Sequence, residues 1–245
     1  GIILGNSINA IAGFLLASKG QCNLWLLFIT LLGLGLVVGS GCIFNNIVDK
    51  DIDKKMKRTE NRAMASGHIE LKSASIVGML AGFSGLIVLC VFTNILTTVL
   101  ALLGLFLYVG VYSFTKYITH HSTLIGSVSG AIPPVIGYCS VTAQIDLAAT
   151  ILFFMIVMWQ MTHFFAIGIR RFDDYAAALI PVFPIKKGMR RTKVQMVLYV
   201  LGFIFSSTLL TLFHFTGYLY LSFLIILGLS WLILTLKGFK KVDDK

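Results

Sequence analysis

Asn45-Asn46-Ile47-Val48-Asp49-Lys50-Asp51-Ile52-Asp53 follows the apolar run Leu24 to Phe44 without a break, and Arg58-Thr59 and Arg62 come soon after. Asn45, Asp49 and Asp53 are four residues apart, so a helix places them on one face. Asp51 falls off that face and reads as solvated. One amide oxygen and two carboxylates together suit a hard divalent cation such as Mg²⁺, which takes oxygen ligands. Arg58 and Arg62 repeat the four-residue spacing just beyond. A metal beside two guanidinium groups is the chemistry that binds a diphosphate. The stretch therefore reads as the end of a membrane helix that carries diphosphate chemistry at the membrane surface.

The rest of the chain supports a membrane location. It is 57% apolar over 245 residues, with a mean hydropathy of +0.90. Runs of about 20 apolar residues recur along it, the length that crosses a bilayer as helix. Eight spans are expected, at 2–17, 24–46, 74–93, 95–114, 123–141, 147–168, 194–214 and 217–236. The runs are continuous rather than alternating, which excludes a membrane β-barrel. The fold class is thus all-α, a polytopic transmembrane helical bundle.

The net charge of +10 does not point to nucleic acid, because it is not spread over a soluble face. Nineteen of the 20 lysines and arginines fall in alternate connections, and only Lys19 lies on the other side. The positive-inside rule makes the basic face cytoplasmic. With eight spans, both chain ends share that face, and a bacterial inner membrane is the expected location. The chain starts at Gly1 with no basic segment ahead of an apolar one, so no signal peptide is read. Cys22, Cys42, Cys90 and Cys139 lie in or near apolar spans without a CxxC and read as packing residues.

Two further polar groups stand out. The connection at 169–193 holds Arg170-Arg171-Phe172-Asp173-Asp174-Tyr175 and then Ile180-Pro181-Val182-Phe183-Pro184. Upstream in the same helix are Trp159, Gln160 and His163. Polar side chains inside a membrane helix are functional candidates by default, and His163 is the best of five histidines for contact with substrate or for proton movement. Counting in fours from His163 reaches Arg171. The connection near 112–121 holds Tyr112, Lys116, Tyr117, His120 and His121. It leads into Gly126-Ser127-Val128-Ser129-Gly130-Ala131-Ile132-Pro133-Pro134, where the paired prolines break or kink the helix beside a cavity.

These residues resemble a known family. Asn45-Asn46-x-x-Asp49-x-x-x-Asp53 with Arg58-Thr59-x-x-Arg62 looks like the first aspartate-rich motif of the UbiA-type intramembrane prenyltransferases. Gly39 to Asn46, Gly130 to Tyr138, Trp159 to Phe164, and Asp174-Tyr175 with Ile180 to Pro184 resemble the branch of that family that farnesylates haem, the protohaem IX farnesyltransferases. The likeness covers essentially the whole chain as a single prenyltransferase domain, 1–245, with active-site loops at about 47–73 and 169–193. It implies nine spans in the full-length family, so this chain reads as trimmed at both ends. Asp174 matches the last acid of the family's second Asp-x-x-x-Asp motif, but Arg170 stands four residues earlier. Thr162 stands where the family has Pro.

The resemblance implies farnesyl diphosphate and haem B as substrates, Mg²⁺ as cofactor and haem O as product. Asn45, Asp49 and Asp53 would hold the metal. Arg58, Arg62 and Lys116, with Arg170 or Arg171 from the second loop, would bind phosphate oxygens. Asp174 and Tyr175 would complete the active site beside His163. The resemblance also implies a haem A synthase or a terminal-oxidase assembly as protein partner, in addition to the lipid bilayer. Other readings stand beside this one. A UbiA-type enzyme acting on a quinone precursor or another aromatic acceptor would favour a complete second motif. A secondary transporter would carry its acids at the bilayer midplane rather than at one face. A haem-binding oxidase assembly factor would bind haem without turnover.

Overall fold

A computed structural model describes residues 1–240, and all regular structure among them is helical. The elements are α1 (Ile2–Ser18), α2 (Leu24–Asp53), α3 (Leu71–Phe92) and α4 (Ile95–Leu105). A π-helical segment (Phe106–Tyr112) continues α4 into α5 (Ser113–Thr115). Then come α6 (Ser122–Gly130), α7 (Ile132–Thr142), α8 (Leu147–Arg170), α9 (Phe172–Ala177), α10 (Phe183–Lys187), α11 (Met189–Leu212) and α12 (Tyr218–Lys240). The polar end of the chain, 241–245, expected on the basic face, lies outside the described residues.

Seven spans are long and apolar enough to cross a bilayer: Leu24–Asp53, Leu71–Phe92, Ile95–Thr115, Ser122–Thr142, Leu147–Arg170, Met189–Leu212 and Tyr218–Phe239. The first expected span, 2–17, forms as α1, which is apolar but 17 residues long, short of the roughly 20 that span hydrocarbon. Helices α3 and α11 begin earlier than their apolar runs. Their backbone stays helical through Lys72 and through Arg190, Arg191 and Lys193.

Helix is the required answer here, because each backbone N–H and C=O must be satisfied without water. The turns on the charge-poor face supply caps. Asn23 Oδ1 accepts from Leu26 N–H at 3.0 Å, Asn94 Oδ1 from Thr97 N–H at 2.9 Å and Asp146 Oδ1 from Ala149 N–H at 3.0 Å. The other oxygen of Asp146 accepts from the Tyr138 hydroxyl at 2.6 Å, which ties α7 to the start of α8.

Small residues let the helices meet backbone to backbone, the packing mode available where lipid and core are equally apolar. On α3, Gly78, Gly82 and Gly85 are buried, while Phe83, Ile87 and Val91 point outward. The Ser40 hydroxyl donates to Gly78 O at 2.7 Å across the α2–α3 contact. A Cβ on Gly85 would lie 2.7 Å from Gly33 O. Helix α1 docks on α7 still more closely: a Cβ on Gly13 would lie 2.0 Å from Pro134 O, and one on Gly137 would lie 1.9 Å from Ala10 O. The fifth span is broken at Ala131, between α6 and α7, and α7 starts with the proline pair in its first turn. Prolines there need no backbone N–H partner, so the break is made at little loss of hydrogen bonding.

The α1–α7 contact yields a prediction. Gly137→Ala must separate two backbones, so it should lower unfolding free energy in detergent by about 1–3 kcal/mol. Gly5→Ala, where an added Cβ meets nothing within 4 Å, should leave it unchanged. Equal unfolding midpoints for the two variants would show that α1 is not held at this contact.

Candidate active site

The polar face expected on α2 forms as one surface. Asn45 Nδ2 donates to Asp49 Oδ2 at 2.9 Å. Both Asp49 and Asp53 are buried, at 8% and 1% exposure, so each carboxylate needs a compensating charge. Asp49 finds it in Lys116, whose ammonium lies 2.6 Å from Asp49 Oδ1, 2.7 Å from Oδ2 and 3.0 Å from Asn45 Oδ1. The Tyr117 hydroxyl also donates to Asp49 Oδ1. Asp53 pairs instead with Arg62, whose Nη1 lies 2.9 Å from Asp53 Oδ2 and 3.2 Å from Asn46 Oδ1. Asp51 is exposed and pairs with Lys54 at 3.1 Å, off the face as expected.

The π-helical segment delivers Lys116. Its i→i+5 bonding, seen where Ser113 N–H donates to Tyr108 O, rotates the end of the fourth span relative to an α-helix. Such bulges concentrate at functional sites. Here Ser113 reaches Asn45 Oδ1 with its hydroxyl at 3.0 Å, and Tyr108 and Tyr112 stack at 5.8 Å. Lys116 Nζ lies 5.5 Å from the Tyr112 ring centre and 5.2 Å from that of Tyr117, within cation–π range. Desolvation draws the Lys116 ammonium below the usual lysine range, and the Asp49 carboxylate opposes that pull. Burial, with the hydrogen bond to Asp49 and its charge, pushes the Tyr117 hydroxyl well above the usual phenol range and keeps it a donor.

Two expectations from spacing change in the structure. Arg58 and Arg62 do not stack, because 54–70 runs in turns rather than helix. Thr59, buried, locks the first of these turns by donating to Asp53 O at 3.1 Å. Arg62 therefore folds back on Asp53, while Arg58 is exposed. Arg171 lies past the last turn of α8, so the face carrying His163 does not continue to it. Its guanidinium approaches Asp174 Oδ2 at 3.8 Å instead, and Arg170 is exposed at the helix end. Among the described residues, Arg171 is the one ion-pair partner of Asp174. Among those residues, no group of three or more His, Cys, Asp and Glu converges on a metal position. The oxygen set on α2 is two acids plus the Asn45 amide.

A small apolar cluster draws the three basic-side connections together. Met56, Ala178 and Ile180 are buried against Ile52, Tyr117, Tyr175 and Val182. Tyr175 is thereby brought toward the α2 site. Burial raises its hydroxyl above the usual range, and the Arg58 guanidinium opposes this. His120 tilts against Phe183 at 5.7 Å and against His121 at 4.1 Å. Burial, His121, Lys187 and Lys186 hold its imidazole below the usual range.

Below this cluster a cavity of about 540 Å³ opens between α1 and four of the spans, a volume typical of a small-molecule site. Tyr108, Tyr112 and Gly126 line its basic end, Val37, Leu105 and Ile132 its walls, and Asn9, Gln160 and His163 its polar spots. Tyr112 thus borders both the cavity and Lys116. His163 is in the cavity as expected, its ring stacked on Trp159 at 5.1 Å and 7°. Sequence reading missed Ser113, Tyr108, Asn6 and Asn9. For the two asparagines an available signal was amides three residues apart in an apolar helix.

The profile of the UbiA prenyltransferase family matches residues 7–245. Protoheme IX farnesyltransferase of Protochlamydia amoebophila (strain UWE25) is 51% identical over 245 residues, all of this chain and 87% of that protein. Protoheme IX farnesyltransferase 1 of Shewanella frigidimarina (strain NCIMB 400) is 47% identical over 242 residues, 98% of this chain and 80% of that protein. Among solved structures, the apo UbiA homolog from Aeropyrum pernix K1 superposes with a TM-score of 0.79 at 16% identity, over 97% of this chain and 88% of that one. A UbiA homolog from Archaeoglobus fulgidus bound to GPP and Mg²⁺ superposes with a TM-score of 0.71 at 12% identity, over 95% of this chain and 82% of that one. These structural likenesses establish the fold.

The apolar cluster predicts a local effect. Ile180→Ala should loosen the 172–187 connection by about 2 kcal/mol. Amide exchange there should then speed up roughly 30-fold, with α3 and α11 unaffected. Unchanged exchange across 175–182 would show that the cluster does not hold the loops together.

Proposed function

Because the chain belongs to the UbiA prenyltransferase family, we infer that it transfers a farnesyl group from farnesyl diphosphate to a vinyl group of haem B, giving haem O and diphosphate. One observation carries the reading. An oxygen cluster with its own cations meets, at Tyr112, an apolar cavity inside a bundle, in a chain that matches protoheme IX farnesyltransferases over its full length.

The cofactor proposed is Mg²⁺. The donor set fits it: Asn45 Oδ1 and both oxygens of Asp49 already hold a cation, the Lys116 ammonium, at 2.6–3.0 Å. Asn45, Asp49 and Asp53 would be its ligands. When bound, Mg²⁺ supplies Lewis-acid neutralisation of the leaving diphosphate.

The chain's own groups do the rest. Lys116 and Arg62 donate charge-assisted hydrogen bonds to phosphate oxygens once diphosphate draws them from Asp49 and Asp53. Arg58, with Arg170 or Arg171, adds positive charge at the rim. Tyr117 keeps its proton and orients Asp49. Asp174 and Tyr175 close the site from the second connection, Asp174 by holding Arg171. The bond from farnesyl C1 to oxygen breaks, and its electron pair leaves with diphosphate. C1 bonds to the terminal vinyl carbon of haem, which leaves the inner vinyl carbon positive until water adds and a proton departs. The apolar walls around Leu105 and Ile132 keep bulk water from the cation before it meets the vinyl group. The basic face is proposed as cytoplasmic, in a bacterial inner membrane, by the positive-inside rule.

In membranes supplied with farnesyl diphosphate and haem B, Asp49→Ala and Asp53→Ala should each lower haem O formation by about 10²–10³-fold. Chelation with EDTA should abolish it and added Mg²⁺ restore it. Arg58→Ala, at the rim, should do less than Lys116→Met. Haem O output that survives both acid substitutions in folded protein would refute the metal face. A protein that makes no haem O at all would refute the farnesyl transfer.

A further inference from the structure

The reaction read above ends with water adding to a carbocation inside an apolar cavity. That water must be held in place, and a water needs two to four polar partners to be held. The cavity provides them at one place. Gln160 and His163 line it together, three residues apart on α8 and so on one face. Neither side chain has a hydrogen-bond partner within the protein among the described residues, unlike Asn45, Asp49 or Asp146. Gln160 offers both a donor and an acceptor, and the imidazole one more of either kind.

Their placement is built in. Trp159 lies parallel to the His163 ring, 7° between planes, and fixes its orientation. Gly130, at the break in the fifth span, leaves room for the amide: a Cβ there would lie 2.7 Å from Gln160 Nε2. The cavity also joins them to the oxygen cluster: Tyr112 lines it with them, and its ring centre lies 5.5 Å from Lys116 Nζ.

We propose that Gln160 and His163 hold and deprotonate the water that completes the transfer, an inference that rests on the farnesyl-transfer reading. The water oxygen bonds to the inner vinyl carbon, and its proton passes to the His163 imidazole, while the Gln160 amide holds the water at the cation. Without a held water the same cation loses a proton from its neighbouring carbon. The product is then an alkene, lighter than haem O by one water. Gln160 therefore decides which product forms, not whether the farnesyl group is transferred.

Mass analysis of extracted haem tests this, with farnesyl diphosphate and haem B supplied to membranes that carry the full chain. In Gln160→Met, close in size but unable to hold water, the ratio of haem O to the dehydrated product should fall by ~100-fold. Gly130→Ala, which displaces the amide without removing it, should shift the ratio the same way but less. Haem O as the sole product of both variants would overturn the proposal while leaving farnesyl transfer intact. So would a Gln160→Met protein that melts like wild type but makes neither product, since the side chain would then act in the transfer itself. Should Gln160→Met fail to fold, the product ratio of Gly130→Ala decides alone. A wild-type protein without either product would overturn the farnesyl-transfer reading instead.

Discussion

Two carboxylates buried at the end of a membrane helix set the terms for everything around them. Burying Asp49 and Asp53 there is costly without counter-charges, and each recruits one from a different part of the chain. Lys116 comes from the end of the fourth span and Arg62 from the turn after α2. Around Asp49 the pairing takes the form of a cation held by three oxygens, the same arrangement a hard metal uses. In the proposed reaction, charge balance in the fold and charge binding would be one design: the lysine and arginine that pair with the acids would turn to the diphosphate.

The cavity gives the second half of the account. Close helix contacts at Gly13, Gly137, Gly33 and Gly85 draw some helices tight, and the break at Ala131 leaves space between others. Breaking the fifth span there puts irregular backbone only where it lines that space. The walls are apolar where a prenyl chain and a porphyrin would lie. Beside the rings of Tyr108, Tyr112 and Trp159, polar side chains enter at Asn6, Asn9, Ser129, Gln160 and His163. In a chain whose relatives include protoheme IX farnesyltransferases, a site with charge at one end and apolar walls at the other matches an amphipathic substrate held across the membrane boundary.

Much of this was legible in the residues, and the rest failed for physical reasons. Spans appeared because hydrocarbon demands long apolar helices. The face of Asn45, Asp49 and Asp53 appeared because helical period and chemistry coincide there. The proline break and the placement of His163 were also readable. The partner of Arg62 was not, since the turns after Asp53 cancel the helical count that aligned it with Arg58. Arg171 was mis-aimed because α8 ends one residue before it. The π-helical turn that aims Ser113 and Lys116 leaves no mark in composition. The cluster of Met56 with Ile180 joins residues more than a hundred positions apart, which a single sequence does not pair.

The most direct test of the account uses the purified protein with labelled farnesyl diphosphate, haem B and a competing phenolic acceptor in one reaction. The label and the released diphosphate are followed with and without Mg²⁺. The account predicts Mg²⁺-dependent diphosphate release matched one-for-one by label in haem, with none in the phenol. Label in the phenol, or diphosphate released without farnesylated haem, would contradict it.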